Sequence, residues 1–513
     1  MHNGCCECIF GYYILSIDFF LYLCKLNMLF NSIEFIIFLP ITFVVYWLLR
    51  RQTRWQNVFV IAASYLFYGW WDWRFLLLIA FTALCSYLSG IGMAKVATDE
   101  PDSHTQAKAK AILWSNITIN LLILCLFKYY DFFAQSFADL FLDGKADGIL
   151  LHLILPVGIS FYTFQALSYS IDVYRGSISP TRDVAAFFAY VSFFPQLVAG
   201  PIERATSLLP QFEKGRHFDY RQCVDGMRQM LWGFFKKMVV ADSCALYVDQ
   251  IFDHPYWFSS TSLLLAAALL TIQIYGDFSG YSDIAIGCAK MFGITLRRNF
   301  NVPYFSRDIA EFWRRWHISL TTWFRDYIYI PLGGSRVPKG RVVLNTFVIF
   351  LVSGLWHVAN WTFVAWGAFH ALLFLPLILL GKNRRYTDVV AAGRRLPSFK
   401  ELGQMLLTFF LATMGWILFR SDSIEEAFQY YGLMFSHLFD GQPATLTSQI
   451  DAWLLTVALV LMTVVEWCNR DRAHEFSRQP HNRVLRWGLY SLIIFMIGAY
   501  MVTNEMPFIY FQF

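Results

Sequence analysis

Residues 263–286 read LLLAAALLTIQIYGDFSGYSDIAI. As an α-helix this stretch would be about 36 Å long, enough to cross the roughly 30 Å hydrocarbon core of a bilayer. Its second half is interrupted by Asp277 and Asp283, with Ser279 and Tyr281 between them. A carboxylate in a membrane span faces protein or a water-filled cavity, because contact with lipid is costly. The stretch therefore predicts a span enclosed by other helices.

The polar half of this span has two interpretations. Asp277, Ser279 and Tyr281 could line an aqueous path and bind a substrate hydroxyl, or they could only hydrogen-bond neighbouring helices, since both uses satisfy the same constraint on burial. Gly276 and Gly280 are spaced four residues apart, which permits close approach of a second helix.

The composition of the whole chain agrees with a membrane protein. Of 513 residues, 57% are hydrophobic and only 15% are charged, whereas a soluble globular protein carries roughly 25% charged residues. We predict an all-α polytopic membrane protein with about 11 to 13 transmembrane helices and additional re-entrant or interfacial helices. Predicted spans are residues 33–49, 58–70, 75–93, 112–127, 150–169, 184–198, 230–248, 263–286, 342–356, 363–380, 405–419, 453–467 and 485–502.

Charge and cysteine content exclude several functions. The formal charge of +5 is small and is spread over short connectors, so we expect no nucleic-acid partner. Ten cysteines occur mostly singly in apolar runs, and no ligand spacing predicts a metal site. The basic connectors near residues 50–54, 214–221, 336–341, 382–400 and 470–486 should face the cytosol, which places the C-terminal tail outside.

The chain predicts one integral-membrane domain, residues 28–513, whose motifs concentrate in residues 159–370. Residues 1–27 form an N-terminal extension, and MLFNS at 28–32 could be the true start. This extension lacks a basic leading region and a small-residue cleavage site, so it does not predict a signal peptide.

Residues 294–341 contain many arginines among aromatics and no long apolar run. They predict an amphipathic, interfacial or re-entrant helix around 309–327, with Trp313, Trp316 and Trp323 at the membrane interface. Guanidinium groups bind phosphate well, so Arg314 and Arg315 could hold the phosphates of a coenzyme or those of lipid headgroups.

Two histidines occur in apolar, aromatic surroundings: His317 in RRWHISL at 314–320, and His357 in GLWHVANWTF at 354–363. An ionisable group in a span is a functional candidate by default. A neutral imidazole can accept a proton near neutral pH. Each histidine could instead tie helices together, and His317 could contact a lipid headgroup.

These two segments and three others resemble the membrane-bound O-acyltransferase family, in its branch of alginate O-acetyltransferase-like and teichoic-acid D-alanylation-like proteins. The other segments are ISFYTFQALSYSIDVYR at 159–175, FFPQLVAGPIER at 193–204 and QIYGDFSGYSDIAIG at 273–287. Asn301 is also in register. One departure is Val358, which stands where the family usually has glycine and puts close backbone approach beside His357 in doubt.

The resemblance implies a helix bundle around a central funnel, with His357 as the general base and His317 lining the same cavity. It also implies a role for the apolar tail, residues 504–513, in which Tyr510 resembles a tyrosine thought to carry the acyl group. The alternative is that the tail is a hydrophobic plug. We add Trp316, Asn301 and Asn360 to the residues expected at the cavity or donor site.

The function implied is O-acetyl transfer, at the bacterial cytoplasmic membrane, from a cytosolic thioester to an extracytoplasmic polysaccharide such as alginate. The donor would be acetyl-coenzyme A or an acyl carrier protein, with no bound cofactor. Related systems use an extracytoplasmic partner resembling SGNH hydrolases, and membrane lipids surround the chain. D-alanyl transfer to teichoic acid is the alternative within the family. A proton-coupled transporter or flippase using the same His and Asp residues is the alternative from another class.

Overall fold

The computed structural model describes residues 28–96, 103–144, 146, 148–198, 200–436, 449–501 and 508. Throughout these residues the regular structure is helical. The helices before residue 260 are α1 (Ile33–Leu48), α2 (Thr53–Asp72), α3 (Arg74–Val96), α4 (Ser103–Leu124), α5 (Tyr130–Phe141), α6 (Ile159–Tyr174), α7 (Val184–Ser192), α8 (Phe194–Leu197), α9 (Ala205–Glu213), α10 (Tyr220–Phe234) and α11 (Asp242–Asp253). Those after it are α12 (Ser260–Met291), α13 (Ile309–Arg315), α14 (Ile318–Phe324), α15 (Lys339–His357), α16 (Trp361–Leu379), α17 (Phe399–Arg420), α18 (Ile424–Ser436), α19 (Gln449–Asn469) and α20 (Arg483–Met501).

Shorter turns complete the helical structure. One π-helical turn, Cys125–Tyr129, joins α4 to α5, and a second, Phe235–Ala241, joins α10 to α11. A third, Arg325–Tyr329, follows α14, and two 3₁₀ turns are Pro255–Trp257 and Pro303–Phe305.

Seven helical segments in the described part of the chain are long and apolar enough to span a membrane. They are α3, α12, α15, α16, α17, the continuous segment Ser103–Phe141 and the apolar part of α19, Ala452–Asn469. Several other predicted spans form helices that are shorter or more polar, such as α1 with its 16 residues. The prediction of an all-α polytopic membrane protein is confirmed.

Helix α12, which contains the stretch 263–286, is the centre of the bundle. Its most apolar part is 78% buried, against at most 56% in the other six spans. It packs against α10, α11 and α17. The prediction that this span is enclosed by protein is therefore confirmed.

Two predicted spans are broken in the structure. Residues 150–156 are not helical, and α6 begins only at Ile159 because Pro156 and Gly158 precede it. Gly158 has φ +72°, and a Cβ there would lie 2.5 Å from the carbonyl oxygen of Leu197. The stretch 184–198 breaks at Phe193 into α7 and α8. Irregular backbone at membrane depth persists only where it is enclosed by protein or lines a cavity.

The predicted single helix around 309–327 is also divided. Helix α13 ends at Arg315, α14 begins at Ile318, and His317 between them has φ +43°. Trp313, Trp316 and Trp323 are buried in the protein. The prediction that they anchor the chain at the membrane interface is wrong, because Trp313 and Trp316 pack in the main hydrophobic core and Trp323 packs in a second cluster.

Close packing of α12 on α10 depends on glycine, as the spacing of Gly276 and Gly280 predicted. A Cβ on Gly280 would lie 2.7 Å from the carbonyl oxygen of Gly233. We expect Gly280→Ala to lower the stability of the bundle by about 1–3 kcal/mol, the usual effect of overpacking. The measurement is the melting temperature of the detergent-solubilised protein. The control is Gly403→Ala in α17, where a Cβ meets nothing within 4 Å. Equal melting temperatures for the two variants would contradict the prediction.

Candidate active site

His357 is the last residue of α15, where the helix has reached the inside of the bundle. The next residue, Val358, is extended with φ −143°. Any L residue adopts that conformation, so the valine in place of the family's glycine does not strain the backbone here. Asn360 then caps α16, because its side-chain oxygen accepts a hydrogen bond from Thr362 N at 3.0 Å. Its amide also donates to the carbonyl of Asp422, so Asn360 fixes the turn that follows His357.

His317 lies in the break between α13 and α14 and is almost fully buried. The segment before it is fixed by two backbone hydrogen bonds, from Asn301 N to Arg315 O at 2.9 Å and from Ile318 N to Asn299 O at 2.8 Å. The left-handed conformation of His317 is rare for a residue other than glycine and is maintained by these contacts.

Asn299 determines the protonation pattern of His317. Its Nδ2 donates to Ser282 Oγ at 3.1 Å, so its Oδ1 is the acceptor that faces His317 Nδ1 at 3.1 Å. Ser319 Oγ donates to the same Oδ1 at 2.8 Å. His317 therefore carries its proton on Nδ1, and Nε2 has a free lone pair. Among the described residues, Nε2 has no hydrogen-bond partner.

The two histidines meet, although 40 positions separate them in the chain. Their ring centroids are 6.2 Å apart. Trp356 contacts both rings, with centroid distances of 4.9 Å to His357 and 6.0 Å to His317. The sequence alone did not indicate this contact, and only the family resemblance implied it.

A cavity of about 320 Å³ lies beside His357 and is lined by its side chain. Part of its wall is the irregular segment that precedes α6, and the aromatic residues Tyr68, Trp71 and Tyr281 form another part. His317 is not among the lining residues. The full lining is Met28, Leu29, Phe67, Tyr68, Trp71, Lys128, Leu155, Pro156, Val157, Gly158, Ile159, Ser160, Phe161, Val198, Tyr281 and His357.

One residue of the C-terminal tail, Phe508, is described, and it is buried beside this site. Its ring centroid is 4.8 Å from that of Tyr281 and 6.0 Å from that of Phe278. Phe278 in turn contacts His317, with centroids 4.8 Å apart. The prediction that the apolar tail is docked is supported at this residue. Tyr510 lies outside the described residues.

The buried acids of α12 are engaged in ion pairs. Asp277 lies 2.6 Å from Lys237, and Asp283 lies 2.6 Å from Lys236. Both lysines belong to the π-helical turn Phe235–Ala241, which packs on α12. Ser279 is buried in the same helix but does not line the cavity, whereas Tyr281 does. For the two aspartates, the geometry favours the interpretation in which they tie helices together.

The arginines of 294–341 also bind protein groups. Arg307 and Arg315 flank Glu311, at 3.0 and 2.8 Å. Arg314 donates to the carbonyls of Asn383 and Tyr386. None of these side chains, nor those of Trp316, Asn301 and Asn360, lines the cavity beside His357. Their guanidinium groups are fixed within the protein and do not extend towards lipid.

Two residues at the site were not singled out from the sequence. Asn299 orients His317, and Lys128 donates to the carbonyl oxygens of Trp356 and His357. The predicted span 112–127 ended one residue before Lys128, so this lysine looked like part of a connector. Within the described ranges, no three His, Cys, Asp or Glu side chains are grouped to hold a metal ion.

Comparison with known proteins agrees with these motifs. The sequence model of MBOAT, the membrane-bound O-acyltransferase family, matches residues 181–419. The probable alginate O-acetylase AlgI of Pseudomonas aeruginosa is 40% identical over 80% of this chain and 75% of its own length. AlgI of Azotobacter vinelandii is 38% identical over 85% of this chain and 84% of its own length. The peptidoglycan O-acetyltransferase of Helicobacter pylori is 30% identical over 95% of this chain and 98% of its own length. The resemblance of the motifs is thus confirmed, and the chain belongs to the membrane-bound O-acyltransferase family.

Proposed function

We propose that this acyltransferase takes an acetyl group from a cytosolic thioester and passes it to a polysaccharide outside the bacterial cytoplasmic membrane. The relatives named for alginate and for peptidoglycan acetylation support acetyl as the group and a glycan as the final acceptor. The transporter alternative has no support among these relatives, since each is named for acetyl transfer.

The observation on which the proposal depends is the pair of histidines, with His357 on the cavity wall and the ring centroid of His317 6.2 Å from that of His357. His357 accepts the proton of a hydroxyl as its oxygen attacks the thioester carbonyl carbon. The carbon–sulfur bond then breaks, and the imidazolium returns the proton to the departing thiolate. An oxygen ester and a free thiol are the products.

His317 has a narrower role in this scheme than the resemblance implied. With its proton on Nδ1, it presents only a hydrogen-bond acceptor at Nε2. To polarise the thioester carbonyl, Nε2 would have to donate a hydrogen bond to its oxygen. Because Nδ1 already carries a proton, this would require the cationic ring with both nitrogens protonated. We therefore assign His317 to accepting a hydrogen bond from the attacking hydroxyl.

The positive-inside pattern supports an opening of the cavity on the extracytoplasmic side. Basic residues follow α1 at Arg50 and Arg51, whereas the cavity is lined by Met28 and Leu29 before that helix. Helix α15 begins in a basic connector and ends at His357. Both helices thus have their basic end opposite the cavity.

The tail supports a covalent relay through Tyr510. Phe508 is buried against Tyr281, which lines the cavity. Tyr510 follows Phe508 by two positions in the sequence. In the proposal, Tyr510 takes the acetyl group as an ester, and a partner of the SGNH-hydrolase-like type transfers it to sugar.

The test of the function is release of thiol from acetyl-coenzyme A by the purified protein in detergent or nanodiscs. A burst of thiol equal to the amount of enzyme, with label retained on the protein, is the expected result. Acetyl-loaded and D-alanyl-loaded carrier proteins serve as the other donors. Turnover of the D-alanyl carrier alone would replace acetyl transfer by D-alanyl transfer, and no turnover of any donor would refute the proposal.

Asn299 gives a second prediction. Because Asn299 Oδ1 holds the Nδ1 proton of His317, Asn299→Ala should lower the maximal rate of thiol release by about ten- to hundredfold through loss of orientation. The donor concentration at half-maximal rate should change little. Asn299→Asp keeps the acceptor oxygen and should recover most of the rate. Ser282→Ala removes only the hydroxyl to which Asn299 Nδ2 donates, and it should lower the rate only slightly. Equal losses in Asn299→Ala and Asn299→Asp would contradict this role.

A further inference from the structure

Lys128 lies in the π-helical turn Cys125–Tyr129, inside the continuous helical segment Ser103–Phe141. A π turn inserts an extra residue and rotates the side chains that follow, and such turns are frequent at functional sites. Here the lysine side chain is directed inward, where it lines the cavity beside His357.

The ammonium group of Lys128 is bound at the end of the helix that bears His357. It donates to the carbonyl oxygen of Trp356 at 2.5 Å and to that of His357 at 2.9 Å. Its third contact is Ser160 Oγ at the start of α6, at 3.3 Å. The same nitrogen lies 5.7 Å from the centroid of the Trp356 ring. Lys128 thus joins three elements around the catalytic candidate.

The hydrogen bonds of Lys128 satisfy carbonyl groups at the end of α15. The last carbonyls of a helix have no partner within the helix, and a cation there also complements the helix dipole. At the end of α15, Lys128 supplies the hydrogen bonds to the carbonyls of Trp356 and His357. A hydrogen bond from a charged donor is stronger than one from a neutral donor.

Burying the charged form of Lys128 costs free energy. Among the described residues, no carboxylate pairs with Lys128, in contrast to the buried Lys236 and Lys237, which each have an aspartate. A cation in a span without an acidic partner is strongly disfavoured. A neutral donor such as glutamine could satisfy one carbonyl at lower cost. The Lys128 nitrogen, by contrast, contacts both carbonyl oxygens and Ser160 Oγ.

We propose that Lys128 is a positioning residue for acyl transfer. Its ammonium group fixes the terminal turn of α15 and so sets the direction in which the His357 imidazole faces the cavity. This inference rests on the proposed function, because its readout is the acyl-transfer rate. Lys128 lies between α4 and α5 and belongs to none of the sequence motifs.

The first test compares Lys128→Met with wild type by single-turnover thiol release from acetyl-coenzyme A. Met retains the length and apolar stem of the side chain but removes the charge. The expected result is a maximal rate constant lowered by about 100-fold, as for a misplaced catalytic group, with little change in the donor concentration at half-maximal rate. The matched control is Lys110→Met, an exposed lysine of α4, which should match wild type.

Rescue separates positioning by a cation from a merely structural role. Lys128→Arg should return to within about tenfold of wild type, since arginine also donates to carbonyls. Lys128→Ala leaves a gap open to the cavity, so added propylammonium should restore part of its rate. Propan-1-ol, which has the same length but no charge, and tetramethylammonium, which cannot donate, should restore nothing.

The outcomes distinguish this inference from the proposed function. If wild type releases no thiol from any donor, the proposed function fails. If wild type is active and Lys128→Met is equally active, the inference about Lys128 is wrong. It is also wrong if the Met and Ala variants are well folded but slow, and neither arginine nor propylammonium restores the rate.

Discussion

Replacing His357 with alanine is expected to lower the rate of thiol release from acetyl-coenzyme A by about 10²- to 10⁴-fold, the contribution typical of a general base. The side chain is the imidazole on the cavity wall, and its ring centroid is 6.2 Å from that of His317. Binding of the donor should be nearly unchanged, because the imidazole acts on the proton of the attacking hydroxyl. Stopped-flow thiol detection at saturating donor measures the effect.

Loss of a buried side chain also lowers stability, so the His357 result needs a control of the same kind. His370 in α16 is fully buried in the same aromatic core, where its Nδ1 accepts a hydrogen bond from Trp313 at 3.3 Å. It does not line the cavity. His370→Ala should cost stability but leave the folded fraction active. His357→Gln, which keeps a polar side chain of similar volume, should be as slow as His357→Ala. Turnover near wild type in both His357 variants would remove this residue from the mechanism.

Much of the fold follows from local sequence. Long apolar runs give helices close to their predicted bounds, as for 342–356 in α15 and 363–380 in α16. The breaks were harder to predict because they depend on tertiary contacts. Gly158 reads as one small residue in an apolar run, and only its approach to the Leu197 carbonyl shows why α6 starts there.

The site could be predicted in part. Histidines in apolar surroundings singled out two residues of the candidate site, but His370 is equally buried, and local pattern alone does not distinguish a histidine on a cavity wall from one that only packs. The distinction arises from the cavity beside His357 and from the contact with His317, which joins residues distant in the chain. Asn299 and Lys128 act through such distant contacts as well.

For the charged residues, the sequence suggested ligand binding where the structure shows contacts within the protein. Asp277 was a ligand-binding candidate because a carboxylate in a span is costly, and Arg314 and Arg315 were candidates because guanidinium groups bind phosphate well. The structure provides each with a protein partner: Lys237 for Asp277, Glu311 for Arg315 and two backbone carbonyls for Arg314. A single sequence without pairing information cannot supply those partners, since burial alone does not reveal whether a charge is satisfied.

Tyr510→Phe is expected to abolish acetylation of the cell-surface polysaccharide and to eliminate the single-turnover thiol burst. Removal of one hydroxyl takes away the nucleophile, and no other group replaces a covalent carrier. A tyrosine hydroxyl has an ordinary pKa of about 10, so it needs a base such as His357 to attack a thioester. Mass spectrometry of the C-terminal peptide should find an acetyl ester on Tyr510 in wild type, and none in Tyr510→Phe or His357→Ala.

Phe508→Ala separates docking of the tail from its chemistry. Phe508 packs against Tyr281 and Phe278, so its truncation should slow formation of the ester without removing the acceptor hydroxyl. The slow variant should still reach full labelling of Tyr510 at long times, whereas Tyr510→Phe never does. Wild-type acetyl content in Tyr510→Phe cells, at equal protein level, would mean that the tail only fills the cavity. In that case the glycan or the partner protein must present its hydroxyl to His357 directly.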